Sequence, residues 1–256
     1  MQRPSAETGS GYNGRCVVIT RPVGSASAFV RQVRGAGGVP LLLPGMALRG
    51  VANAVAARAA LCAALSDELL VFTSPAAVRF AARLAALQTS ADVLAVGQGT
   101  ARALRRHGVR MPLVPRRQDS EGLLGHPLLA TVRGRSVALI GAPGGRGLLR
   151  QELTARGASL RQVHVYQRVP ARLDRRHFAA LARLPQSACV LLSSAEALLN
   201  LQQQLPPAAL TRWLAATAVV SSERLAAAAR TAGFTRVVQA ASALSKDLLD
   251  AALHVR

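Results

Sequence analysis

Aromatic side chains are scarce: five Phe, two Tyr and one Trp make up 3% of the 256 residues. Single-stranded nucleic acids are commonly gripped by stacking bases on aromatic rings, and few such platforms exist here. No zinc-finger spacing or RNP-like motif is found either. Cysteine is also rare. Cys16, Cys62 and Cys189 are odd in number and far apart, which excludes a disulfide framework and points to reduced, buried thiols, as in a cytoplasm. The histidines, at 107, 126, 164, 177 and 254, lack metal-ligand spacing and lie near no cysteine pair, so no metal is expected. Long apolar runs are missing too. "VANAVAARAALCAAL" is split by Arg58 and closed by Asp67, too short and interrupted to cross a bilayer. The opening "MQRPSAETGSGYNG" is polar and Gly/Ser-rich; residues 1–13 are expected as a disordered tail with neither signal peptide nor anchor.

What is present is positive charge. Lys and Arg number 32 against 12 Asp and Glu, for a formal net charge of +20, and Lys246 is the only lysine. Two readings stay open: a coding bias that scatters arginines over solvated helix faces, or a field that attracts a polyanion. With few stacking rings and only short basic clusters ("RRHGVR", "RLDRR"), a small molecule with many carboxylates is favoured over nucleic acid.

Short runs rich in Val, Leu and Ile alternate with Ala/Leu/Arg stretches long enough for helices, the α/β signature. Strands are expected at 16–20, 39–43, 69–73, 92–96, 111–114, 136–141, 159–166, 188–192, 217–220 and 235–239. These ten make two roughly five-stranded parallel sheets flanked by helices. The halves also align at an offset near 120: "GRCVVIT" with "GRSVALI", Gly37 with Gly157, "VFTSPAAV" with "LLSSAEAL", "LAVGQGTARAL" with "AVVSSERLAAA", and "DSEGLL" with "LSKDLL". Shared order over several matches points to a duplicated unit.

In open parallel sheets, ligands bind beyond the carboxyl ends of strands, where free backbone N–H groups point outward. Thr73, Ser74, Gly97, Thr100, Ser193, Ser194, Ser221 and Ser222 all fall at such ends. Each hydroxyl is equally what a helix N-cap requires, worth about 1 kcal/mol, and one hydroxyl can do both. "GAPGGRGLL" at 141–149 lacks both the GxGxxG spacing and the Walker lysine. Gly144 and Gly145 are expected to form a tight turn that lets Arg146 reach the ligand. No Ser-His-Asp order or nucleophile elbow is evident.

"VVITRP" at 17–22, "VFTSPAAV" at 71–78, "AVGQGTARAL" at 95–104, "DSEGLL" at 119–124, "GGRGLL" at 144–149 and "RGASLRQVHVYQRVP" at 156–170, taken in this order, resemble the uroporphyrinogen-III synthase family. The resemblance implies two similar α/β domains joined by a two-stranded linker. Domain 1 would combine 14–38 with 171–256, domain 2 would be 49–160, and the linkers would be 39–48 and 161–170. It implies a cofactor-free hydro-lyase acting on hydroxymethylbilane. Loss of water gives an azafulvene cation, ring D is inverted through a spiro intermediate, and the macrocycle closes. It further implies a monomer in transient contact with hydroxymethylbilane synthase, which makes the unstable substrate.

On this reading Tyr166 assists departure of the hydroxyl, and Tyr12 is left in the tail. The eight substrate carboxylates are held by Thr73, Ser74, Gly97, Thr100, Ser193, Ser194, Ser221 and Ser222, with Arg21 and Arg146 as further contacts. Two departures weaken the carry-over to domain 1: "SSERLAA" replaces a Gly-Pro-Thr-Thr-Ala-like turn, and Ser194-Ala195 stands where Ser-Pro is common. The rival readings are a non-catalytic basic α/β protein that binds nucleic acid, and a two-domain sensor of a small polyanion.

Overall fold

The computed structural model describes residues 11–144 and 147–255. The first elements are β1 (Cys16–Ile19), α1 (Val23–Gly35), β2 (Val39–Leu42) and β3 (Met46–Gly50). Next come α2 (Ala54–Ala64), β4 (Leu69–Phe72), α3 (Pro75–Leu84), β5 (Asp92–Ala95) and α4 (Gln98–Arg106). They are followed by α5 (Ser120–Leu124), α6 (Pro127–Ala130), β6 (Ser136–Gly141), α7 (Leu148–Ala155), β7 (Ser159–His164) and β8 (Tyr166–Pro170). The remainder is α8 (Arg175–Ala182), β9 (Cys189–Leu192), α9 (Ala195–Gln204), α10 (Pro207–Leu214), β10 (Thr217–Val220), α11 (Glu223–Thr231), β11 (Val237–Gln239) and α12 (Ser245–Leu253).

The chain divides into two compact units. Unit 1 runs to Ala47 and resumes at Val169; unit 2 is Leu48–Arg168. Unit 1 holds a parallel sheet in the order β11-β10-β9-β1-β2, unit 2 one in the order β5-β4-β6-β7, and β3 pairs with β8 in a two-stranded ribbon. Of the stretches expected as linkers, 39–42 and 161–164 belong to the units' sheets, within Val39–Leu42 and Ser159–His164; only the later part of each enters the ribbon.

The duplication extends to strand register. Cys16 pairs with Val39 and Ser136 with Ser159, while Val17 pairs with Cys189 and Val137 with Leu69. Each pair is carried onto its counterpart by the same 120-residue shift, forward for one partner and backward for the other in the second case. Register in a parallel sheet decides which side chains face which layer, so the two cores are laid out alike. Leu70 and Phe72 of β4 face one core layer, Leu69 and Val71 the other. In β9, Val190 and Leu192 face one layer, Cys189 and Leu191 the other. Burial on both faces is why these strands are unbroken apolar runs.

Three expectations are corrected. The strand expected at 111–114 is reduced to one bridge, Leu94 with Leu113. Pro112 and Pro115 flank it and supply no N–H donors, so a ladder cannot extend. The tail expected over 1–13 does not include its last residues, while residues 1–10 lie outside the described ones. Tyr12 is only 3% exposed, its N–H donates to the Ala36 carbonyl at 2.8 Å, and its hydroxyl donates to the Leu249 carbonyl at 2.8 Å. Tyr166 is therefore not the only tyrosine in the folded region. Finally, Cys189 is buried and Cys16 half-buried, but Cys62 is exposed on α2.

No helix among the described residues is long and apolar enough to cross a membrane.

Candidate functional site

In unit 2, β4 delivers Thr73 and Ser74 to the carboxyl edge of the sheet. The Thr73 N–H and hydroxyl both donate to the Ile140 carbonyl, at 3.1 and 3.2 Å, pinning β4 to the end of β6. Gly141 leaves room for this, because a Cβ there would collide with the Thr73 hydroxyl. Ser74 caps α3: its oxygen accepts from the Ala77 N–H at 3.0 Å, and Pro75 occupies the first helical position, where no donor is needed.

The Ser74 oxygen also lies 3.2 Å from the Tyr166 hydroxyl. Tyr166 begins β8, is 7% exposed, and stacks on Phe80 of α3 with centroids 5.3 Å apart and planes 16° from parallel. Sequence-distant residues thus place a phenol at the turn that follows the central strand.

The second strand-end turn of unit 2 carries Gly97, the N-cap of α4. A residue not nominated from sequence fills this end: the Gln118 side-chain oxygen accepts from the Gln98 N–H at 2.9 Å. A Cβ on Gly97 would stand 2.6 Å from that oxygen. Thr100 is 1% exposed and its N–H donates to the Gly97 carbonyl. It is a packing residue of α4 here and is not brought to the surface of the turn. Arg146 and Gly145 lie outside the described residues; Gly144 has the left-handed backbone of a tight turn, φ 74°.

In unit 1 a cavity of about 200 Å³ is lined by Thr20, Arg21, Ser25, Met46, Ser193 and Ser194, with Pro22 and Ala197. Ser194 caps α9 by accepting from the Ala197 N–H at 3.3 Å. Arg21 donates from Nε to the Ser193 hydroxyl at 3.2 Å and from a terminal nitrogen to the Ala243 carbonyl at 2.9 Å, and its guanidinium lies 4.7 Å from the Phe29 ring centre. Among the described residues no carboxylate lies within ion-pair distance of it. Burial lowers its pKa, yet an arginine so perturbed stays a cation at neutral pH.

The cavity thus presents a half-buried positive charge among hydroxyls, suited to one carboxylate. Thr20, also missed in the sequence, donates to the Leu191 carbonyl at 2.7 Å and locks β1 to β9. Ser222 caps α11 at 3.4 Å, and Ser221 makes no hydrogen bond among the described residues.

The fold and these turns define a two-unit α/β protein whose strand ends carry hydroxyls, helix amides, one arginine and one phenol. A family model described as uroporphyrinogen-III synthase HemD matches residues 27–250. The uroporphyrinogen-III synthase of Escherichia coli is 31% identical over 248 residues, covering 92% of this chain and 98% of that protein. That of Salmonella typhimurium is 32% identical over 253 residues, with the same coverage. In fold the chain is similar to the uroporphyrinogen-III synthetase of Helicobacter pylori (TM-score 0.64, 16% identity, 94% of this chain and 100% of that one). It is also similar to a mutant uroporphyrinogen III synthase of Thermus thermophilus (TM-score 0.57, 23% identity, 93% and 96%). The chain belongs to the uroporphyrinogen-III synthase family.

Proposed function

We propose that this protein cyclises hydroxymethylbilane to uroporphyrinogen III, with loss of water and inversion of ring D. The structural observation that carries the reading is the Tyr166 phenol, hydrogen-bonded to Ser74 at the carboxyl end of β4. Departure of the terminal hydroxyl breaks a C–O bond whose electron pair goes to the oxygen. The phenol hydrogen-bonds that oxygen and gives up its proton, so that water leaves. The remaining carbon is cationic and delocalised onto its pyrrole nitrogen. Carbon–carbon bond formation at ring D, fragmentation and reclosure then follow within the substrate, and the proton lost from ring D on closure restores the phenol.

Most of the acceleration and all of the selectivity lie in holding the flexible chain so that the correct carbons meet. The reading assigns substrate carboxylates to the Gly97 turn of unit 2 and to Arg21, Ser193, Ser194, Ser221 and Ser222 of unit 1; Ser74 meets the phenol, and Thr73 and Thr100 serve the fold at these turns. Transient contact with the synthase that makes hydroxymethylbilane accords with the instability of that compound.

The test is a coupled assay in which hydroxymethylbilane is generated in place, the products are oxidised, and uroporphyrin isomers are separated. Predominant isomer III is expected. Isomer I alone, in the presence of folded protein, would reject the assignment and direct attention to the arginines and nucleic acid.

A further inference from the structure

We infer that Ser74 is a positioning residue: its hydroxyl donates to the Tyr166 oxygen, freeing the phenol's own proton for the substrate and holding the oxygen's charge once that proton has left. This deepens, and rests on, the reading of Tyr166 as the proton donor.

A serine hydroxyl has one proton and two acceptor sites, and so has a phenol. One Ser74 acceptor site is occupied by the Ala77 N–H at 3.0 Å, and the Tyr166 oxygen lies 3.2 Å away. Among the described residues neither hydroxyl has another partner. One contact thus serves two protons, and one proton must point elsewhere.

Two effects choose which. Accepting an amide N–H makes the serine oxygen a poorer acceptor and its O–H a better donor. The oxygen also sits at the N-terminal end of the ten-residue helix α3, where the helix dipole favours negative charge nearby and disfavours a second incoming proton donor. The favoured chain runs from the Ala77 N–H to Ser74 and from the Ser74 O–H to Tyr166. Stacking on Phe80 holds the ring while this happens. When the leaving oxygen takes the phenol proton, the phenolate keeps the Ser74 donor; when closure returns a proton, the phenol is restored and nothing else is consumed.

Tyrosinate absorbance against pH reads this bond without substrate. Tyr12 and Tyr166 are the only tyrosines, so a Tyr12→Phe background leaves a single tyrosinate transition to follow. In that background Ser74→Ala is expected to move the tyrosinate transition upward, because the phenolate loses a hydrogen-bond donor. Isomer III formation is expected to lose about tenfold in kcat with KM within about twofold. Ser74→Thr, which keeps a hydroxyl, should recover both. In a Tyr166→Phe background Ser74→Ala should cost nothing more in kcat.

A transition that stays put or moves down would overturn the inference, as would a loss confined to KM that adds to that of Tyr166→Phe. Should Ser74→Ala fail to fold, Ser74→Gly, a better tolerated N-cap, is read by the same criteria. If the unaltered protein makes no isomer III, the synthase reading fails, and the titration alone decides the hydrogen bond.

Discussion

The turn after β4 in unit 2 and the turn after β9 in unit 1 descend from one plan and have diverged in what they hold. Both end a central, fully buried strand with two hydroxyl residues, and in both the second hydroxyl caps the next helix: Ser74 for α3, Ser194 for α9. The difference lies in their company. Thr73 is tied to β6 and Ser74 meets a phenol, whereas Ser193 meets the guanidinium of Arg21 beside a cavity. In unit 1 the strand-locking threonine comes from the other side of the homologous strand pair: Thr20 follows β1 and reaches β9. Ser193 is thereby left to the arginine. The repeated scaffold thus carries a phenol at one turn and a guanidinium at the other.

The close approaches beneath the two turns break the comparison in graded steps. In unit 1 a Cβ on Gly45 would stand 2.5 Å from the Ala197 carbonyl oxygen and 2.7 Å from its Cα, backbone atoms that cannot yield locally. Gly45→Ala is expected to cost about 3 kcal/mol, measured by denaturant unfolding. The close approach in unit 2 is milder. Gly141→Ala would press on the Thr73 hydroxyl, a side chain that can rotate at the expense of its bond to Ile140. About 1–2 kcal/mol is expected, with Ser74 and the α3 cap displaced enough to slow turnover.

The smallest expected effect concerns pH. Burial raises the pKa of the Tyr12 phenol in the folded state, so above about pH 10 the unfolded chain loses a proton that the folded protein keeps. Stability should therefore fall as pH rises through that range, and Tyr12→Phe should flatten this part of the stability curve while removing about 1 kcal/mol at neutral pH.

Much of this architecture was legible in the sequence because it is local. Apolar runs bounded by Ser, Thr or Gly became strands with capped helices, and the matched segments fall on equivalent strands of the two sheets. What escaped depends on partners distant in sequence. Gln118 reads as a loop residue until its side chain is seen on the Gln98 N–H. Tyr12 belongs to a polar, glycine-rich stretch, and only its bond to Leu249, 237 residues away, fixes it. Thr100 reads as a turn hydroxyl because helix position alone does not disclose which face packs inward. Arg21 was nominated for following a strand, but the cavity and the absence of a carboxylate partner among the described residues are features of the fold. The prolines at 112 and 115 were visible all along, and they cut the fifth strand to a single bridge.

The most direct test of the division between a proton-donating turn and a charge-holding turn is the steady-state kinetics of isomer III formation for Tyr166→Phe and Arg21→Gln, side by side. The division predicts a kcat loss of about 10- to 100-fold with nearly unchanged KM for Tyr166→Phe. For Arg21→Gln it predicts a KM increase of about tenfold with kcat nearly preserved. Equal losses of both parameters in the two variants, or the reverse pattern, would contradict it.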